Sequence, residues 1–296
     1  MRDSFSNYHP IINFLYFALV IAFSLIFTNP IAQIIALLCA VCYAATTKNN
    51  KSISFLIKLC LPTVILAALI NPIFNHRGAT ILLYFSNGNP LTLESFFYGL
   101  FMGVMLITVM LWFYSFNKVI NTDKFIYLFG KIIPSLSLIL SMSLSFLPRF
   151  KLHMQEGLEA QRAMGKDLKT SSFINKVKIV VSVFLSTISW GFENAIDTAD
   201  SMKSRGYGLK KRTAFSNYKF IKRDIFVLIY LLLCLAILIC GIINKALSFN
   251  YFPSFNFTPV SLKTIPFYIV YFSLCITPVI INLKEEIKWK TLASKI

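Results

Sequence analysis

Two short segments combine residue types suited to recognising a charged surface. ADSMKSRGYG occupies 199–208, and EAQRAMGKD occupies 159–167. Each places acidic and small residues first, then a basic residue, then a glycine. In the later segment Glu193, Asp197 and Asp200 precede at spacings of four and three, so they share one helix face. Lys203 and Arg205 fall in the last turn, and Gly206 follows. Acids early and bases late suit the helix dipole, and glycine accepts the left-handed backbone that ends a helix. The earlier segment repeats the pattern with Glu156 and Glu159, then Arg162, Ala163, Met164 and Gly165. The chemistry available at such an end is recognition. A guanidinium offers a planar fork to a carboxylate, and a small neighbour lets a surface approach closely. The plainer reading is a pair of capped amphipathic helices with solvated faces.

Residues for covalent or redox chemistry are missing. The sequence has no GxxxxGK[ST], HExxH or GxSxG. His9, His76 and His153 are scattered, and Cys39 and Cys42 form a lone CxxC inside an apolar run. Ionisable residues are nearly absent from the apolar runs: Lys58 lies near one end and Glu94 at a border. Ion and substrate paths through membranes usually carry more. No enzymatic activity and no bound metal or cofactor are expected of this chain.

The elements that must carry the two segments are apolar. Of 296 residues, 56% are hydrophobic, mean hydropathy is +0.68, and the net charge is +17. That composition excludes an ordinary soluble domain and predicts an all-α polytopic membrane protein. Apolar runs at 11–28, 31–45, 55–74, 96–116, 225–243 and 265–283 approach the ~20 residues of a bilayer crossing. The N-terminus is read as leading into a first membrane helix, not as a cleaved signal. Asn29-Pro30 predicts a tight connection between the first two, and Pro62 a kink in the third. Runs at 125–146 and 177–190 are interrupted or short.

Charge sets the expected orientation. Between Arg149 and Arg223 lie 15 Lys or Arg against 6 Asp or Glu, about half of the 29 basic residues in a quarter of the chain. The positive-inside rule puts this region in the cytoplasm, where basic residues face anionic lipid or acidic protein and not nucleic acid. About six transmembrane helices with both termini inside satisfy the pattern. Three parts follow: N-terminal helices at 1–116, a cytoplasmic-side helical coupling region at 117–224, and a C-terminal hairpin with its tail at 225–296.

With these features together, the chain resembles the transmembrane T component of energy-coupling factor transporters, the family that includes the cobalt-transport permease. SMKSRGYG resembles that family's Arg-Gly helix end, and EAQRAMGKD its earlier Ala-Arg-Gly motif. NPIFNHRG at 71–78, the run at 123–150 and GYGLKKRTAF at 206–215 add to the likeness, which spans about residues 10–285. The resemblance implies a cell-membrane scaffold that two cytoplasmic ATPases dock on, beside a small S component that captures a vitamin or metal ion. ATP would bind the ATPases and not this chain. Carried over by position, the docking motifs fall on Ser204, Arg205 and Gly206, and on Ala163, Met164 and Gly165. Met164 stands where the family has an arginine. Either nearby Arg162 supplies the charge from another face, or Met164 makes an apolar contact. Unequal ends would suit two non-identical ATPases. The alternative is an autonomous membrane permease or channel, and a lipid-modifying enzyme built on Glu193, Asp197 and Asp200 is a third.

Overall fold

The computed structural model describes residues 4–46, 50–84, 88–130, 133–166, 172–207, 218–254 and 264–293. Nine α-helices account for most of them: α1 (Pro10–Ile26), α2 (Pro30–Thr46), α3 (Asn50–Phe74), α4 (Leu93–Val119), α5 (Thr122–Gly130), α6 (Pro134–Ala163), α7 (Phe173–Ser204), α8 (Lys222–Ile243) and α9 (Ile265–Ala293). All six apolar runs expected to span are helical. A helix satisfies its own backbone polar groups, which a lipid environment requires. The α1–α2 connection is as tight as Asn29-Pro30 implies. Pro30 opens α2, and the Asn29 side-chain oxygen accepts the Ile31 N–H at 3.0 Å. α3 continues through Pro62 and Pro72.

Two features depart from the expectation. A small antiparallel hairpin, β1 (Ile81–Tyr84) with β2 (Pro90–Thr92), joins α3 to α4 in an otherwise helical chain. The short apolar run at 177–190 and the charged helix at 192–205 are one helix, α7, of 32 residues. Gly191 does not break it, because a mid-helix glycine costs only ~1 kcal/mol relative to alanine; Phe146 and Phe150 of α6 lie beside it. Among the described residues α4, α7, α8 and α9 are long and apolar enough to cross a membrane, whereas α1, α2 and the 62–74 part of α3 are apolar but shorter. The chain is an all-α polytopic membrane protein.

The helices fall into two compact units, residues 1–125 with 218–296, and residues 126–217. In the first, α4 packs on α1, α2 and α3, while α9 packs on α2, α8 and a 3-10 turn at Ser4–Asn7. Its centre is aromatic. Tyr43 stacks on Trp112 at 6.2 Å, and Phe17 meets the same indole edge-on at 6.3 Å. Each such pair adds ~0.5–1.5 kcal/mol beyond its buried area. Two buried hydroxyls bridge distant helices: Tyr16 donates to the Cys275 carbonyl at 3.1 Å, and Ser24 pairs with Tyr271 at 3.2 Å. Gly99 and Gly103 bring α4 onto α3. A Cβ at Gly99 would lie 2.6 Å from the Ala67 carbonyl, and one at Gly103 2.9 Å from Val64 Cα. Small residues four apart permit this approach where no hydrophobic effect drives helices together.

In the second unit α6 and α7 pack antiparallel. Phe146 stacks on Trp190 at 5.6 Å, and His153 meets Trp190 edge-on at 4.4 Å. Further along α6, Gly157 abuts Val183 so closely that a Cβ would come within 2.9 Å of it. Ile179, Val183 and Thr187 form the buried stripe of α7, spaced by four. Phe173, Ile174, Val181, Leu185, Phe192 and Ile196 stay exposed in this single chain.

Candidate functional site: two matched helix ends

The C-termini of α6 and α7 close in the same way. α6 ends at Ala163, Met164 is its cap (φ −80°, ψ 11°), and Gly165 follows at φ +80°. α7 ends at Ser204, Arg205 is its cap (φ −81°, ψ 6°), and Gly206 follows at φ +75°. In the first, the Lys166 N–H donates to Gln161 O at 3.0 Å and the Gly165 N–H to Arg162 O at 3.0 Å. In the second, the Tyr207 N–H donates to Met202 O at 3.0 Å and the Gly206 N–H to Lys203 O at 3.0 Å. This double closure is a Schellman motif, and it needs a left-handed residue after the cap. Gly165 is demanded by that backbone and not by crowding, since a Cβ there would meet nothing within 4 Å.

Position by position, Met164 therefore occupies the place of Arg205, Ala163 that of Ser204, and Arg162 that of Lys203. Residues two apart on a helix point about 200° away from each other. Arg162 is thus the positional counterpart of Lys203 and lies on a different side of its helix from Met164. Each end keeps one basic residue in its last turn, and only the α7 end adds a second, at the cap. All four last-turn and cap residues are solvent-exposed, Met164 at 62%. Ser204 Oγ donates back to Ser201 O at 2.8 Å, which leaves Arg205 at the tip.

The acids expected on one face, Glu193, Asp197 and Asp200, are exposed along α7. Gly208, at the end of the first segment quoted above, lies outside the described residues. Counted outward from the His153–Trp190 contact at ~1.5 Å per residue, the two glycines stand roughly 40 Å apart at opposite ends of the α6–α7 pair.

A second cluster was not singled out from the sequence as a unit. Glu94, only 1% exposed, sits in the first turn of α4. Thr80 donates its hydroxyl to Glu94 Oε1 at 2.7 Å and its N–H to the same oxygen at 3.1 Å. Thr92 and Ser95 hydroxyls donate to the Arg77 carbonyl at 2.9 and 3.0 Å. Gly78 is needed here, since a Cβ would lie 2.5 Å from Glu94 Oε2. The border carboxylate thus locks the 75–80 loop to α4. The available signal was a lone acid two residues after Thr92 and a glycine sixteen residues before it.

With this geometry in hand, known proteins are informative. No family model matches the chain. Energy-coupling factor transporter transmembrane protein EcfT 1 of Listeria monocytogenes is 30% identical over 180 residues, 56% of this chain and 64% of that protein. The corresponding EcfT of Lactococcus lactis is 31% identical over 105 residues, 35% of this chain and 40% of its own. The chain is similar to EcfT proteins. The likeness read from the sequence motifs and the likeness to EcfT relatives agree. Uncharacterized protein MG181 of Mycoplasma genitalium is also similar, 32% identical over 90 residues, 30% of this chain and 21% of that protein. The chain spans less than two thirds of the length of each of these three relatives.

Proposed function

We propose that the chain is the membrane scaffold subunit, the T component, of an ATP-driven uptake transporter of the energy-coupling factor type. The observation that carries this reading is the pair of matched, exposed helix ends in a chain similar to EcfT proteins. Two ends of equal backbone geometry, roughly 40 Å apart by helix rise, suit two related partner subunits docking side by side. Those partners are cytoplasmic ATPases that bind the ATP. A small membrane S component captures the cargo, a vitamin or a metal ion. The chain supplies no catalytic group.

The chemistry of docking follows from the ends. Arg205 presents a fixed positive fork beside a helix C-terminus that has already satisfied its carbonyls, so the guanidinium is available to a partner carboxylate. Met164 offers a flexible apolar thioether at the equivalent position, suited to an irregular apolar groove. One partner groove is therefore acidic and the other apolar, which favours a heterodimeric ATPase pair. Nucleotide-driven movement of the two ATPases pulls on both ends of the α6–α7 pair. The aromatic contact at Trp190 is the point about which those helices pivot between two packings. In this reading both chain termini and the docking ends lie on the cytoplasmic side of the cell membrane.

A detergent pull-down from native membranes tests the assignment. Wild-type chain brings down two ATPases, Arg205→Glu loses at least tenfold of that capture, and Arg162→Glu has the smaller effect expected of a Lys203 counterpart. Transport of a solute by the chain alone in liposomes, with no ATPase captured, would replace this reading with an autonomous permease.

A further inference from the structure

Among the described residues, a group of long-range polar contacts surrounds the N-terminal turn. The backbone passes between the two units twice, leaving the first unit after Phe125 and re-entering it at Tyr218. Both passages are held, on the side of the first unit, by residues 4–9. Lys124, one residue before the exit and only 6% exposed, donates its ammonium to the Ser6 carbonyl, to Ser6 Oγ at 3.1 Å and to the Val119 carbonyl at 3.0 Å. On the return, Phe220 stacks on the His9 ring at 3.8 Å, and Tyr218 meets that ring edge-on at 6.5 Å. Arg223 lies 4.0 Å over the Tyr8 ring and donates to the Asn7 carbonyl at 3.4 Å. Its guanidinium also approaches Glu285 of α9 at 3.9 Å and Asp224 at 3.8 Å. The turn itself is fastened from behind. Phe5 is fully buried against Tyr16 and Phe17, and its N–H donates to Asn282 Oδ1 at 3.1 Å.

We infer that the Ser4–His9 turn is a clasp that binds the exit and return passages of the second unit into one mechanical element, with Lys124 and Arg223 as positioning residues. The physical reason is a shared turn. Lys124 and Arg223 belong to chain segments a hundred residues apart, yet both donate to neighbouring carbonyls of the same turn, Ser6 and Asn7. Groups bonded to adjacent carbonyls of one turn belong to a single network and are energetically coupled, so loosening one passage must loosen the other. A buried ammonium held by carbonyls is strained by small displacements, because its desolvation is offset only while those bonds persist. A pull on either passage therefore reaches α1, α8 and α9 together. This inference rests on the scaffold reading only for its use in transport; the clasp itself is a property of this chain.

The test is amide hydrogen exchange on the full-length chain in nanodiscs, without ATPases, comparing wild type with Lys124→Met and with Arg223→Met. In either variant, exchange is expected to quicken at least fivefold in peptides covering 4–13, 119–125 and 218–225 alike. Peptides covering 75–95 keep wild-type rates. If Lys124→Met quickens only 119–125 while Arg223→Met quickens only 218–225, the clasp is overturned. Arg223 is 40% exposed, so its variant folds even where replacement of the buried lysine disrupts the chain, and the response at 119–125 then decides alone. ATPase capture is measured on the same variants. Its loss in wild type sinks the scaffold reading without touching the exchange result, and uncoupled exchange sinks the clasp without touching capture.

Discussion

At Gly165 and Gly206 a single hydrogen atom in place of a side chain decides how two helices end. Both residues hold φ near +80°, a conformation that costs an L-residue ~1–2 kcal/mol. Gly206→Ala should therefore fray the last turn of α7 and displace Arg205. The expected result is faster amide exchange at 202–207, with ATPase capture weakened, though less than by Arg205→Glu. Met164→Arg tests the unequal ends. It restores the second guanidinium, and capture of a partner with an apolar groove should fall while an acidic groove is favoured. Glu94 acts differently, because its oxygens are consumed within the chain. Glu94→Gln keeps the shape but loses charge-assisted bonds from Thr80, at a cost of about 1.5–3 kcal/mol. Thermal unfolding in detergent should register that loss, with capture of ATPases unchanged.

Among the elements, two close helix approaches rest on glycine. Gly99 and Gly103 seat α4 on α3, and Gly157 seats α6 against Val183. Gly99→Leu would drive a side chain into the Ala67 carbonyl. Overpacking of this kind costs ~1–3 kcal/mol, and reduced thermal stability of the purified chain is the readout. Trp190→Ala removes the ring that both Phe146 and His153 contact. The α6–α7 crossing should loosen, seen as a broadened distance distribution between spin labels placed at 166 and 207. Wild type is expected to give a single population on the order of 40 Å, from the rise of the two helices. The exposed apolar residues of α7 have a different status. They mark a helix long and apolar enough for a bilayer, ending in a charged tip.

Across the whole molecule, burial is unevenly distributed. The first unit buries the aromatic core around Trp112, and the second is a helix pair with few buried residues. Lightly buried elements are the ones that move at low cost. On the proposed scaffold reading, a lightly buried helix pair is the part suited to answering a partner. The proposed N-terminal clasp lies wholly within the first unit, at Lys124 and residues 218–223.

How much of this was legible in the sequence depends on the range of the interactions. Local features were readable because they depend on neighbours in the chain. Run length and apolarity marked six helices, and the order acid, base, glycine marked where α6 and α7 stop. The continuity of α7 was not readable. Its apolar and charged halves look like two elements, and the α6 residues Phe146 and Phe150 beside the glycine between them are distant in sequence. The alignment of Arg162 with Lys203 follows from counting three residues back from each glycine, but the matching closures of the two helix ends were visible only in the folded chain. The Glu94 lock and the clasp lie furthest from sequence reasoning. Phe5 and Asn282 are separated by 277 residues, and no local pattern announces that they meet. By itself the sequence determined that this chain is a bundle of membrane helices with two matched, glycine-ended tips, since helix formation and termination are set by short-range sterics and solvation. Tertiary structure alone decided which residues tie the passages together, because those contacts exist only once distant helices have packed.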